Sequence, residues 1–193
     1  MGAAGVVLLI VLATTQAGAA PAPGLVDIHA RLDRIVALLQ ERGLTHEQRR
    51  RAILAEADPA FDWHAMARSA LGPSWRARTP AERAEFTRLF QALVEHTYLA
   101  RVLRYDGEKV VYGRETVRGD AALLQTRIAG TKGVPISVDY ELRRRGDRRL
   151  VSDVLVEHVG LVSNYRSQFA DILSRASYPA LLAKIRARIA AQA

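Results

Sequence analysis

Hydrophobic positions along this chain change period twice, from helical to alternating and back, which divides it into three stretches. Leu25, Ile28, Leu32, Ile35, Val36 and Leu39 mark one face of a first helix, closed by Gly43. Thr45 with Gln48 forms a capping box for a second, which ends before Asp58-Pro59. Asp62 caps a third, with Trp63, Met66, Ala67, Ala70 and Leu71 inward, and Gly72-Pro73 stops it. Thr79, Pro80 and Glu82 supply the N-cap, first-turn proline and capping-box acid of a fourth. Its apolar side carries Phe86, Leu89, Phe90, Leu93, Val94 and Tyr98, and it ends near Arg104.

From about Lys109 the period is two. Residues 110–117, 122–128, 134–144 and 150–159 read as strands, joined through turn chemistry at Gly119-Asp120, 130–133 and Gly146-Asp147. Links this short imply an antiparallel meander. In the third strand Ile136, Val138, Tyr140 and Leu142 face one way, and Ser137, Asp139, Glu141 and Arg143 the other. At Gly160 the last strand turns into a helix bearing Leu161, Val162, Tyr165, Phe169, Ile172 and Leu173. A final helix enters through Pro179 with Leu181, Leu182, Ile185 and Ile189 as its stripe. The fold class is α+β: a four-stranded antiparallel meander covered by about six helices. Six helices offer more apolar stripe than one sheet face needs. The surplus either packs helix on helix or lines a pocket between sheet and helices.

Composition narrows the chemistry. The 193 residues suit one domain, 21–193, with a net charge of +8 that all lies beyond residue 26. The apolar run 6–13 and Ala17-Gly18-Ala19 read as a signal peptide over residues 1–20, although no Lys or Arg precedes the run. A membrane anchor is the alternative, but the run is too short to span comfortably. The absence of cysteine excludes disulfides, thiolate metal sites and a lipidated Cys. Five histidines lie on separate elements without metal-ligand spacing, so no metal and no cofactor is assigned; His29 and His46 read as surface groups. One acid–base pair stays conceivable, His96 with Asp139 or Asp153. No nucleophile elbow, phosphate loop or dinucleotide fingerprint occurs, so no catalytic residue is assigned.

Asp153 interrupts an apolar strand, and a carboxylate there needs solvent or a cation. Arg166 is the expected partner in a structural ion pair. Five arginines between Arg143 and Arg149 crowd one hairpin tip. They form either a solvated turn or a docking patch, through Arg143, Arg144 and Arg148, for anionic headgroups or an acidic partner. Basic residues are not interleaved with aromatics, which argues against nucleic acid.

Two tracts, FDWHAMARSALGPSW from Phe61 and VSDVLVEHVGLVSNYRSQF from Val151, resemble the MlaC or toluene-tolerance family. The resemblance runs from Thr45 to Ile189. It implies a soluble periplasmic carrier of phospholipid rather than an enzyme, with a role in envelope lipid asymmetry and solvent tolerance. Its implied partners are an inner-membrane lipid ABC transporter complex and an outer-membrane lipoprotein complex; a hopanoid-associated cargo is the variant. It also favours the pocket over a solid core. Phe86, Phe90 and Leu93 are then expected on one wall, Leu124, Ile128, Ile136, Val138 and Tyr140 on the sheet, and Tyr165 and Phe169 on the following helix. Singly, each reads as ordinary core. Two rivals remain: a small-molecule enzyme on an open α+β cone, and a structural module with a closed core.

Overall fold

The computed structural model describes residues 25–105, 107–130 and 134–191; the expected signal peptide at residues 1–20 lies outside them. Four helices come first: α1 (Val26–Gln40), α2 (His46–Ala57), α3 (Trp63–Leu71) and α4 (Pro80–Val102). Single 3-10 turns at Asp58–Ala60 and Gly72–Trp75 flank α3. The strands β1 (Lys109–Arg118), β2 (Ala121–Ala129), β3 (Ile136–Arg145) and β4 (Arg148–Val156) form the expected antiparallel meander. A two-residue β5 (Val159–Gly160) joins its edge, and α5 (Leu161–Arg175) and α6 (Tyr178–Ala190) complete the chain. The α+β class and the element order follow the sequence pattern, with one more strand.

The caps form as the sequence dictates. Gln48 N–H donates to Thr45 Oγ1 at 3.2 Å while Thr45 N–H donates to Gln48 Oε1 at 2.9 Å. Thr79 and Glu82 repeat the reciprocal pair at 2.7 and 3.2 Å. Asp62 Oδ1 accepts from Ala65 N–H at 2.9 Å.

The passage from β4 into α5 differs from expectation. The chain does not run straight to Gly160; it reverses at Glu157 and His158, both left-handed with φ of 49° and 65°. Two successive positive φ values make the tight hairpin that Asn-Gly or Asp-Gly ordinarily announce. Here Glu157 N–H donates to Ser137 O at 3.0 Å, and tertiary pairing holds the turn in place of permissive residues.

Apolar residues separate into two cores. One is helical, built from α3, α4, α5 and α6 around Phe86, Phe90, Tyr165 and Phe169. The other lies between the sheet and α1: Leu25, Ile28, Ala60, Ala122, Leu124, Leu142 and Val151. Phe61 packs against both. His29, expected at the surface, instead stacks on Tyr112 with ring centroids 4.2 Å apart and meets Glu115 at 2.8 Å, pinning α1 to β1. Tyr112 also donates to Asp33 Oδ1 at 2.6 Å.

Four of the five hairpin arginines find partners within the protein, three of them at the surface. Buried Arg149 donates to Asp120 O and Gly119 O at 2.7 and 2.9 Å, stitching the β3–β4 tip to the β1–β2 turn. Arg149→Met should therefore remove both charged hydrogen bonds to the β1–β2 turn and cost about 2 kcal/mol. Urea denaturation at neutral pH measures that loss.

Candidate binding cavity

Where the two cores fail to meet, α1, α2, the turn at Asp58–Ala60, α4 and the sheet border a half-open cavity of about 200 Å³. Leu32 and Ile35 of α1, Ile53 and Leu54 of α2, and Val94, Leu99 and Val102 of α4 form its helical walls. Tyr140 and Val151 close it from the sheet, with Phe61 and Trp63 at the junction. Arg31 lies on the rim with its charge met: Nη1 donates to Glu56 O at 2.9 Å and Nε lies 3.2 Å from Asp27 Oδ1.

Few polar groups reach this wall. Burial, then the neighbouring Glu95 carboxylate, pushes the Asp58 carboxyl up to about 6. Gln91 Nε2 donates to Glu95 Oε1 at 2.7 Å, and its amide partly offsets the upward shift on Asp58. Trp63 Nε1 is buried without a partner among the described residues. The Tyr140 hydroxyl makes no hydrogen bond among the described residues, and burial pushes it up to about 12.

Of the ten residues expected to line a pocket, Tyr140 lies on this cavity. Phe86, Phe90, Tyr165 and Phe169 do not; they pack on one another in the helical core. Phe90 meets Tyr165 edge-on at 5.5 Å, and Phe86 meets Phe169 at 5.7 Å. Leu93 belongs to the same core and Leu124 to the sheet core. Val138 is buried on β3, Ile128 is half-buried, and Ile136 is 48% exposed at the strand's start. The surplus apolar surface of α4 accounts for the displacement. Its Phe86–Phe90–Leu93 row meets α5 and α6, while a second row, Val94, Tyr98, Leu99 and Val102, faces the cavity. That second row, with the apolar face of α1, was the available signal.

Asp153 does not pair with Arg166. Its Oδ1 accepts from the N–H of Val154 at 2.8 Å and of Val162 at 3.0 Å, so it supplies the side-chain cap that Gly160 lacks at the start of α5. Burial raises its pKa despite those bonds. The docking arginines also need correction. Arg148 donates to Asp27 Oδ2 and Pro59 O at 3.2 and 3.1 Å, and Arg144 lies 3.4 Å from Asp120. Arg143 alone of the tip's arginines has no partner among the described residues. It lines a cleft of about 1190 Å³ with Arg68, Arg76, Arg166 and His64, on the face of β3 opposite the cavity.

The proposed acid–base pair is not assembled. His96 lines a separate cleft with His46, Glu47 and Arg50, whereas Asp139 meets Ser137 and, at 4.0 Å, His158.

A family model described as MlaC protein matches residues 30–187. The chain belongs to the MlaC family. A phospholipid-binding protein from Ralstonia solanacearum, solved in complex with a phospholipid, shares the fold with a TM-score of 0.78 and 20% identity, over 89% of this chain and 99% of that one. No curated protein sequence matches this chain. Among the described residues no helix is long and apolar enough to cross a membrane.

The Asp58 shift gives this MlaC-family chain a testable pH dependence. Its folded value of about 6 lies above the ordinary 3.8, so the folded state holds the proton more tightly. Stability should fall as pH rises between those values and stay lowered above them. Asp58→Asn should flatten that slope and gain about 1 kcal/mol at pH 7, solvent screening of the half-buried group included. Paired urea titrations at pH 4 and pH 7 read the difference.

Proposed function

We propose that this protein is a periplasmic carrier that holds a phospholipid by its acyl chains in the cavity between α1, α4 and the sheet. Family membership supports that reading, as does the lipid complex of the Ralstonia relative. The observation that carries it is the cavity itself, walled by aliphatic and aromatic side chains inside a fold with two otherwise closed cores.

Transfer energetics give the cavity its purpose. Burying a methylene contributes about 0.8 kcal/mol, so two acyl chains exposed to water would cost on the order of 20 kcal/mol. A carrier must shield them with contacts close in energy to the bilayer's, and directionless apolar walls do so without trapping the cargo. This half-open space is comparable in volume to the roughly 150 Å³ apolar cavity that takes up benzene. It accommodates part of one chain; a whole lipid must part α1 and α4 from the sheet.

The wider role we propose is the one that family resemblance suggests: exported by its N-terminal segment, the carrier passes lipid between an inner-membrane ABC transporter complex and an outer-membrane lipoprotein complex. Arg143, together with Arg68, Arg76 and Arg166, supplies a basic cleft for an acidic docking partner, separated from the cavity by the sheet. That division lets a partner bind without displacing lipid.

Gently purified protein should carry stoichiometric phospholipid in native mass spectra, and organic extraction identifies its class; a bare chain would contradict the carrier. Leu99→Trp, which fills the cavity, should lower occupancy severalfold and leave a folded protein. Phe90→Asp places a charge in the closed helical core and should abolish folding altogether. Circular dichroism beside lipid extraction separates the two outcomes.

A further inference from the structure

The cavity wall carries polar hydrogens that the protein leaves unused. Trp63 Nε1–H is buried and has no acceptor among the described residues. The Tyr140 hydroxyl, on the sheet wall and carried by a half-buried side chain, also has no partner among the described residues. A buried donor without an acceptor forfeits its hydration outright, so the Trp63 N–H calls for an unseen partner, and the Tyr140 hydroxyl lines the same space free to join it. Both side chains sit on fixed elements. Trp63 opens α3 immediately after the Asp62 cap, and its ring stacks on Phe61 at 4.8 Å. Tyr140 lies within β3, paired with Leu124 on one side and Val154 on the other. Two rigid donors in an apolar wall are preorganised for an acceptor brought by the cargo.

We propose that Trp63 and Tyr140 donate to an ester carbonyl of the cargo, so that the cavity selects ester-linked acyl chains over ether-linked alkyl chains. This inference rests on the carrier reading and specifies its substrate class. The surrounding charges choose among acceptors. A phosphate or free carboxylate would require an unpaired cation, but Arg31 is committed to Asp27 and Glu56. Asp58 and Glu95, on the same wall, would repel an anion. A neutral carbonyl satisfies the donors without adding charge, and on a diacyl lipid it occurs only where the tails join glycerol. The two donors therefore fix how deep the tails enter.

The test uses the full chain stripped of lipid, competing a dipalmitoyl phospholipid against its dihexadecyl ether with the same headgroup. Native mass spectrometry reads the bound ratio. The wild-type protein should prefer the ester about fivefold, the worth of one neutral hydrogen bond. Trp63→Phe and Tyr140→Phe should each shrink that ratio and together bring it to one, with ether affinity unchanged. Equal binding of ester and ether by the wild-type protein overturns the assignment without recourse to any variant. Persistence of the preference in the double variant overturns it as well. Palmitate outcompeting the ester would mean that the donors read a carboxylate, and the assignment would again be wrong. If wild-type protein binds neither lipid, the carrier reading itself fails, an outcome distinct from all of these.

Discussion

The structure turns on Asp62. Its backbone N–H donates to Val151 O at 2.9 Å, extending a parallel bridge between Phe61 and Val151 that fastens the helical half to the sheet. Its Oδ1 caps α3, and its Oδ2 takes the Arg145 guanidinium at 2.5 Å. One residue thus starts a helix, joins β4 and anchors the hairpin tip. Because the halves are fastened here, with Phe61 packed on both cores, they diverge on the α1 and α4 side. The cavity is the space that divergence leaves, and its walls come from elements of both cores.

Much of this was legible because it rests on local chemistry. Capping boxes at Thr45 and Thr79 and the stop at Gly72-Pro73 depend on neighbouring residues, and each formed as the sequence required; in β3 the alternation held less well, with Ile136 exposed and Asp139 buried. What stayed hidden depends on tertiary partners. Glu157 and His158 make a left-handed turn without glycine because pairing to Ser137 holds them there. Asp153 looked like half of an ion pair; the free amides of α5 lie nearer to it than any guanidinium does. The site was harder still. Helical spacing identifies an apolar face but not which of two faces meets a solid core, and on α4 the aromatic row belonged to the core while the aliphatic row met the cavity.

Charge followed the same logic. A run of arginines at a turn suggests a solvated patch, yet the β3–β4 tip clamps α1, α3 and the β1–β2 turn through Arg148, Arg145 and Arg149. The basicity available to a partner lies instead beside the tip, where Arg143 joins guanidiniums from α3 and α5. In the proposed reading, lipid shielding and partner attraction occupy opposite faces of one sheet. That separation allows docking charges to act through salt-sensitive encounter rates without altering how tightly tails are held.

The central claim is that acyl chains lie between α1, α4 and the sheet. A crystal structure of the protein loaded with a phospholipid brominated along one chain locates those atoms directly by anomalous scattering. The account predicts bromine density beside Leu32, Leu99 and Tyr140, with α1 and α4 displaced outward to admit the chain. Density among Phe86, Phe90 and Phe169, or only on the protein surface, would contradict it.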